Sequence, residues 1–235
     1  MFNIFKMYFN NKYNTDLNFK IIKRPSIPSA TRSYKEIPIK GHDGKLYKEE
    51  NYNDIEFSVA CNFLSKNANT WNEDYRRIKR WINNIKNNKL SFSDDKGYYY
   101  KVCKASIDSL ERIYKRLGKF SIKFTVEPYQ YVEDSEELLL SALMNNNWDI
   151  CQPIYRIVGN GTCVLNVNGN IINCTVVGQL TIDTAHDKML NSDGTLAVGK
   201  TNIKKMQNLY LKEGENIFSW SSGFTIYITP NWRTI

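Results

Sequence analysis

An amphipathic helix with strand patterns on both sides is the feature that most restricts what this chain can fold into. Large apolar side chains recur there at intervals of three and four residues, which places them on one helix face. They are Trp71, Tyr75, Ile78, Ile82 and Ile85. Thr70 and Glu73 have the spacing of a capping box and predict the helix start, while Asn87 and Asn88 predict its end. A single helix among strands indicates a domain dominated by β structure.

A β-hairpin and a longer strand follow the helix. The polar loop 93–97 ends in a glycine and separates the short runs 90–92 and 98–102, which is the pattern of a hairpin. Apolar and polar residues then alternate over residues 120–126, as expected of a half-buried strand. Pro128 lacks the N–H donor needed to continue that strand and predicts its end.

Five elements follow one another in a fixed order over roughly a hundred residues. They are a Gly-x-Asp-Gly turn at 41–44, a strand at 55–59, an Ile-Lys-Arg-Trp helix element at 78–81, a Leu-x-Phe-Ser-Asp-Asp hairpin at 90–95, and a Gly-x-Phe-x-x-x-Phe strand reaching Pro-Tyr at 118–129. No single element is specific, but the order is. In the order of these elements, the chain closely resembles the N-terminal domain of distal tail proteins of long-tailed, non-contractile bacteriophages, the siphophages.

The resemblance assigns structural roles, and no chemistry, to the positions that match the family pattern. Two further positions come from the C-terminal part of the chain, which resembles the galectin-like sandwich that forms the second domain of these phage proteins. The signature positions are Gly41, Asp43, Gly44, Ile78, Trp81, Phe92, Gly118, Phe120, Phe124, Pro128, Gly214 and Pro230.

The charge distribution divides the chain near residue 134. Residues 1–133 carry 25 Lys and Arg against 15 Asp and Glu, a net charge of +10, whereas residues 134–235 carry 7 against 9, a net charge of −2. The acidic run Glu133-Asp134-Ser135-Glu136-Glu137 lies at this change of sign. We therefore predict a ring-forming N-terminal tail domain at residues 1–133, a linker at 134–147 and a galectin-like C-terminal β-sandwich at 148–235.

The C-terminal part has the pattern of an all-β domain. Asn168 and Gly169 separate two apolar runs and are the strongest short-range hairpin signal, because both residues tolerate the positive φ of a type I′ turn. Short strands at regular intervals indicate a β-sandwich or jelly roll. The predicted strands are 154–158, 163–167, 170–172, 179–183, 208–211, 216–220 and 224–229. The fold class is thus mainly β, with an α+β N-terminal sandwich that carries one helix and one hairpin.

The resemblance implies a structural virion protein rather than a catalyst. In that family the N-terminal domains form a six-membered ring at the distal end of the phage tail, and the C-terminal sandwiches project outward. The implied partners are five further copies in a homo-hexamer, the major tail tube protein, and the tail-associated fibre or lysin protein. DNA would pass through the lumen without specific binding, and no cofactor is implied. The protein would be made in the bacterial host cytoplasm.

The N-terminal segment 1–9 predicts a strand or arm. Asn3 and Lys6 interrupt its apolar run and no small-residue cleavage site follows, which is not the pattern of a signal peptide. No run approaches the roughly 20 apolar residues that a spanning helix needs, so membrane insertion is not expected. Two placements stay open for the segment, on a neighbouring subunit or at the edge of its own sheet. The same two alternatives apply to the hairpin 90–102.

Catalytic chemistry is not expected. The chain has only two histidines, His42 and His186, and both lie in predicted turns more than a hundred residues apart. The five cysteines are widely spaced without a Cys-x-x-Cys pair, which indicates neither zinc nor a disulfide framework and favours buried free thiols. Cys61 continues the alternation that starts at Ile55 and should face the core.

Two other classes of function remain as alternatives. A carbohydrate-binding module for host adsorption is suggested by Tyr210, Trp220, Tyr227 and Trp232, although Trp220 alternates with Phe218 and so belongs to the predicted core. Nucleic-acid binding is suggested by a pI of 9.1 and by a cluster of basic residues on the helix. Such charges are usually solvated, and an acidic partner protein is the preferred alternative. That cluster consists of Arg76, Arg77, Lys79 and Arg80.

Overall fold

The computed structural model describes residues 5–41 and 43–235, which form two compact units. One unit ends at Tyr131 and includes Ile235, and the other spans Val132–Thr234. The predicted fold class is confirmed, because strands dominate both units and α1, Trp71–Asn83, is the only α-helix of the described residues. The strands that begin in the first unit are β1 Met7–Phe9, β2 Lys12–Tyr13, β3 Phe19–Ile21, β4 Arg32–Pro38, β5 Lys45–Tyr52, β6 Ile55–Leu64, β7 Lys89–Phe92, β8 Tyr98–Arg112 and β9 Leu117–Val132.

The first unit consists of a main sheet, the helix α1 that packs on it, and a separate two-stranded sheet, β4 with β5. The strands of the main sheet follow the order β2-β1-β7-β8-β9-β6-β3, and aromatic rings of strands that are not neighbours in this order meet in the core. The ring of Phe9 in β1 lies 5.3 Å from that of Phe124 in β9, and Phe19 in β3 lies 5.3 Å from Phe120. The indole of Trp81 covers Phe9 at 5.4 Å. Aromatic packing between sheet and helix therefore forms the core of this unit.

The strand prediction at 120–126 is right in pattern but wrong at its end. β6 and β9 pair antiparallel from Ile55 opposite Val126 to Leu64 opposite Leu117, and β9 continues through Pro128 to Val132. Because the β6 ladder ends at Val126, the N–H that Pro128 lacks is not needed for that ladder.

The predicted capping box at α1 does not form. Thr70 has the helical φ of −86° and ψ of −2°, and its hydroxyl donates to the carbonyl of Asn67 instead. The helix also ends earlier than predicted, since Asn84 is the C-cap and Ile85 lies beyond it, partly buried against the core. The side chain of Asn10, described below, fixes this end.

The N-terminal segment and the hairpin both belong to their own sheet. β1 pairs antiparallel with β7 from Met7 opposite Phe92 to Phe9 opposite Leu90, and these four side chains are buried. The described part of the segment therefore lies in its own sheet rather than on a neighbouring subunit. The hairpin likewise lies within that sheet and is not a free edge. Residues 1–4 lie outside the described part of the chain.

The second unit is a β-sandwich built on one long hairpin. The turn at Asn168 and Gly169 has φ values of 51° and 85°, so the predicted type I′ turn is confirmed. The predicted short strands on each side are in fact two 14-residue strands paired along their full length. The strands of this unit are β10 Leu138–Leu139, β11 Leu143–Asn146, β12 Ile154–Val167, β13 Asn170–Asp183, β14 Lys188–Asn191, β15 Gly214–Trp220, β16 Thr225–Thr229 and β17 Arg233–Thr234.

Two predictions for the second half need correction. The proposed linker 134–147 is not a free connection, because it contains β10, which pairs with β16, and β11, which pairs with β15. The first half of the proposed strand 208–211 lies in a 3-10 helix, Met206–Leu209, in which Met206 and Leu209 are buried, and Leu211 forms an isolated antiparallel bridge with Cys151. Apolar residues at this spacing are compatible with a buried one-turn helix as well as with a strand.

The five cysteines are free thiols, but one of them is exposed. Cys61, Cys151, Cys163 and Cys174 are fully buried, as predicted, whereas Cys103 is exposed in the first half of β8. Among the described residues, no helix has the length and apolar character needed to cross a membrane.

Candidate assembly surface

A two-stranded ribbon, β4 with β5, stands apart from the main sheet of the first unit. It forms a separate antiparallel sheet in which Ile37 lies opposite Leu46 and Glu36 opposite Tyr47. The turn that joins the strands contains Gly41 and Gly44, which have φ values of 82° and 91° that other residues rarely adopt. The predicted Gly-x-Asp-Gly turn thus lies at the tip of the ribbon.

The ribbon exposes large apolar side chains on both of its faces. Tyr34 and Tyr47 lie on one face and are 52% and 63% exposed, and Leu46 on the other face is 56% exposed. An isolated two-stranded hairpin is marginally stable in water, and exposed apolar clusters of this kind mark interaction sites. The ribbon is therefore the strongest candidate for a surface that another protein covers.

Local contacts keep the ribbon extended. Arg32 forms an ion pair with Glu49 across the strands, and Lys45 does so with Glu36 near the tip. The Arg32 guanidinium also lies 4.6 Å from the ring of Tyr52. These contacts fix the ribbon's shape while leaving its tyrosines and leucine open to solvent.

A second exposed apolar group lies at the tip between β8 and β9. Tyr114 is 72% exposed there, and Leu110 and Ile113 are also exposed. The tip is ordered by Arg112, whose guanidinium donates to the carbonyls of Lys115 at 2.6 Å and Ala68 at 3.2 Å.

The sequence signature does not converge on one site. Three of its positions, Gly41, Asp43 and Gly44, lie at the ribbon tip, and His42 between them falls outside the described residues. Ile78, Phe92, Phe120 and Phe124 are buried in the first core. Trp81 is buried with them and donates from its indole nitrogen to the carbonyl of Phe9 at 3.2 Å.

The remaining signature positions shape the backbone. An added Cβ at Gly118 would meet the Phe63 ring, 2.6 Å from Cζ, so the close approach of β9 to β6 requires glycine. Pro128 is half-buried in β9, Gly214 begins β15 with a φ of 82°, and Pro230 is buried after β16. The exposed residues Tyr34, Leu46 and Tyr47 were missed, because an apolar residue in an alternating strand looks the same whether it faces a core or a partner.

The described histidine and two of the buried cysteines show ordinary environments. His186 is exposed in a turn, with Nδ1 2.8 Å from an Asp183 carboxylate oxygen. Burial raises the pKa of Cys174 to about 12 and also raises that of Cys61, which keeps both thiols protonated and inert. Among the described residues, no group of three His, Cys, Asp or Glu side chains could hold a metal ion.

The aromatic residues considered for sugar binding are half-buried and engaged. Trp220 donates from its indole nitrogen to the carbonyl of Phe224 at 3.2 Å, and Tyr210 accepts a hydrogen bond from Gln152 at 2.9 Å. The Tyr227 ring lies 4.1 Å from the guanidinium of Arg156. Trp232 packs against the second core.

The first unit is a domain of a known kind. Residues 12–126 match the family model of the phage tail protein RIFT-related domain, so this unit is a phage tail domain. The resemblance found in the sequence is thereby confirmed. No curated protein matches the chain.

Solved structures share the fold of the whole chain. The Dit (gp 19.1) protein of SPP1, a paradigm of the hub adsorption apparatus in phages that infect Gram-positive bacteria, has a TM-score of 0.69 at 16% identity and covers 99% of this chain and 100% of its own. A chain of the phage P2 baseplate in its activated conformation with Ca has a TM-score of 0.52 at 9% identity over 100% and 99%. A chain of the phage p2 baseplate in its activated conformation with Sr has a TM-score of 0.53 at 8% identity, and the match covers 96% of this chain and 97% of that chain.

Proposed function

We propose that this chain is the structural hub at the distal end of a siphophage tail. Six copies form a closed ring through their first units, the ring joins the major tail tube protein to the tail-associated fibre or lysin protein, and DNA passes through the lumen without specific binding. The chain is not an enzyme. The phage tail domain at residues 12–126 and the fold shared with a hub protein support this assignment.

The exposed ribbon is the observation that carries the ring proposal. Its apolar faces belong to β4 and β5, and the described part of the first unit leaves Tyr34, Leu46 and Tyr47 largely exposed. The ribbon of one copy docking on the next copy is a heterologous contact, because donor and acceptor surfaces differ. Repetition of such a contact closes a ring when the rotation between copies permits it.

Removal of the apolar side chains of the ribbon tests this proposal. The variant Tyr34→Ser, Leu46→Ser, Tyr47→Ser should remain monomeric in sedimentation velocity at concentrations where the unchanged chain forms rings. Each side chain loses the free energy gained by burying it against the next copy, about 1.5–3 kcal/mol for a large apolar side chain that becomes fully buried.

A matched control replaces three apolar residues of the second unit that are at least as exposed as those of the ribbon. Val177, Leu196 and Val198 are 63%, 64% and 86% exposed. Their replacement by serine should leave the ring intact, and both variants should keep the thermal midpoint of the unchanged chain. A ribbon variant that assembles as well as the control would contradict the proposal.

Direct host adsorption through a sugar is the alternative function. Binding of the purified chain to isolated cell walls or to a glycan array, lost when Tyr227 or Trp232 is replaced by alanine, would favour it over the hub.

A further inference from the structure

The outer face of α1 carries a row of uncompensated positive charge. Arg76, Lys79, Arg80 and Asn83 follow one another at intervals of three, one and three residues, so they form a single stripe along the helix. Among the described residues, no carboxylate lies within ion-pair distance of Arg76, Lys79 or Arg80. Arg77 on the adjoining stripe differs, because Asp74 pairs with it at 3.3 Å.

Without a partner of opposite charge, this stripe of basic residues destabilises α1. Arg76 and Arg80 are four residues apart, and like charges at that spacing repel each other. The three basic side chains, with Asn83 and Asn84, line a depression of about 630 Å³. A second depression of about 430 Å³ shares Arg80 and Asn84 and adds further basic residues. The surface is thus concave and positively charged. We call the surface formed by Arg76, Lys79 and Arg80 the α1 basic surface.

The acidic run of the chain has complementary properties. Glu133, Asp134 and Glu136 are exposed and, within the described ranges 5–41 and 43–235, none of them has a cationic partner. Glu137 is different, since the Arg156 guanidinium holds both of its carboxylate oxygens at 2.8 and 2.6 Å. Three carboxylates in four residues therefore remain available for cations outside their own unit.

We propose that the α1 basic surface of one copy docks the acidic run, residues 133–136, of the neighbouring copy. This inference rests on the proposed ring and names a second contact within it. Arginine binds carboxylates through two parallel hydrogen bonds, which gives such a contact direction as well as attraction. The contact joins two different surfaces, so it repeats around a ring in the same way as the ribbon contact. Single-stranded nucleic acid is disfavoured as the occupant, because the only aromatic among the described residues that line either depression is the buried Trp81.

A charge-swap experiment tests the inference. Arg76→Glu with Arg80→Glu, and separately Asp134→Arg with Glu136→Arg, should each raise the concentration for half-assembly by about tenfold, as expected for a small network of exposed ion pairs. Combining all four substitutions should restore assembly, because the contact keeps its complementarity with the signs exchanged. Lys204→Glu with Lys205→Glu is the control, with the same change of charge at an exposed site, and should assemble like the unchanged chain.

The outcomes separate the inference from the proposed function. If the unchanged chain forms rings and all charge variants assemble equally well, the inference is wrong and the ring proposal is unaffected. Loss without restoration in the combined variant overturns the pairing with residues 133–136. An unchanged chain that stays monomeric at every concentration, with the tail tube protein and the tail-associated protein added, contradicts both. Binding of a fluorescent DNA duplex that is lost only in the arginine variant, with normal assembly, assigns the surface to nucleic acid instead.

Discussion

The side-chain amide of Asn10 donates a hydrogen bond of 2.8 Å to the main-chain carbonyl of Trp81, although 71 residues separate them in the chain. The same amide donates to the carbonyl of Asn84 at 2.7 Å, and its oxygen accepts from the N–H groups of Lys86 and Asn87. One buried side chain thus satisfies the main-chain groups left unpaired where α1 ends.

Replacement of Asn10 by alanine should therefore lower the free energy of unfolding by about 2–4 kcal/mol, because several buried main-chain groups lose their partners. Urea unfolding followed by tryptophan fluorescence measures this. Asn11 is the matched control, since both residues have positive φ, at 47° and 63°. The side chain of Asn11 accepts one exposed hydrogen bond, from Asn87. A cost for Asn11→Ala equal to that for Asn10→Ala would mean that backbone strain, not hydrogen bonding, sets the effect.

Gly118 and Phe63 should behave as a coupled pair. Gly118→Ala places a methyl group against the Phe63 ring and should destabilise the fold by about 1–3 kcal/mol through overpacking. Phe63→Leu removes the ring edge, so the double variant should cost less than the sum of the two single variants. Strict additivity in a double-mutant cycle would count against this contact as the reason for glycine.

One thiol should react in the native protein. Ellman's reagent should modify Cys103 alone under native conditions and all five cysteines after denaturation, because the other four are buried. Partial desolvation of the Cys103 thiol by its neighbours, together with the negative charges of Asp54 and Glu127, raises its pKa. The reaction rate should therefore increase with pH, and this increase should occur at a higher pH than for a free cysteine. The variant Cys103→Ser should show no native reaction, and a second reactive thiol would reveal opening of one of the two cores.

The sequence predicted correctly those elements that depend on residues close together in the chain. The turn at Asn168 and Gly169 follows from two residues that accept positive φ, and the buried face of α1 follows from spacing alone. The end of β9 could not be predicted from Pro128, because the strand continues to Val132, beyond Val126, the last residue that pairs with β6. The end of α1 was also missed, since a side chain from the distant Asn10 fixes it.

The assembly surface shows the same division. The Gly-x-Asp-Gly motif predicted a turn at residues 41–44, and Gly41 and Gly44 lie between the paired strands β4 and β5. Its separation from the main sheet depends on long-range pairing, which places β1 rather than β4 beside the hairpin strand β7. Neither Leu46 nor Tyr47 differs in type from a core residue, so exposure became apparent only in the folded structure.

The mass of the assembled protein tests the central claim most directly. Native mass spectrometry of the unchanged chain at high concentration, with negative-stain electron microscopy of the same sample, should show a species of six 27.4 kDa chains, about 164 kDa, as closed rings with a central opening. The tail tube protein and the tail-associated protein should be added if the chain alone is monomeric. A chain that remains monomeric with both partners, or that closes with a different number of copies, would contradict the six-membered hub.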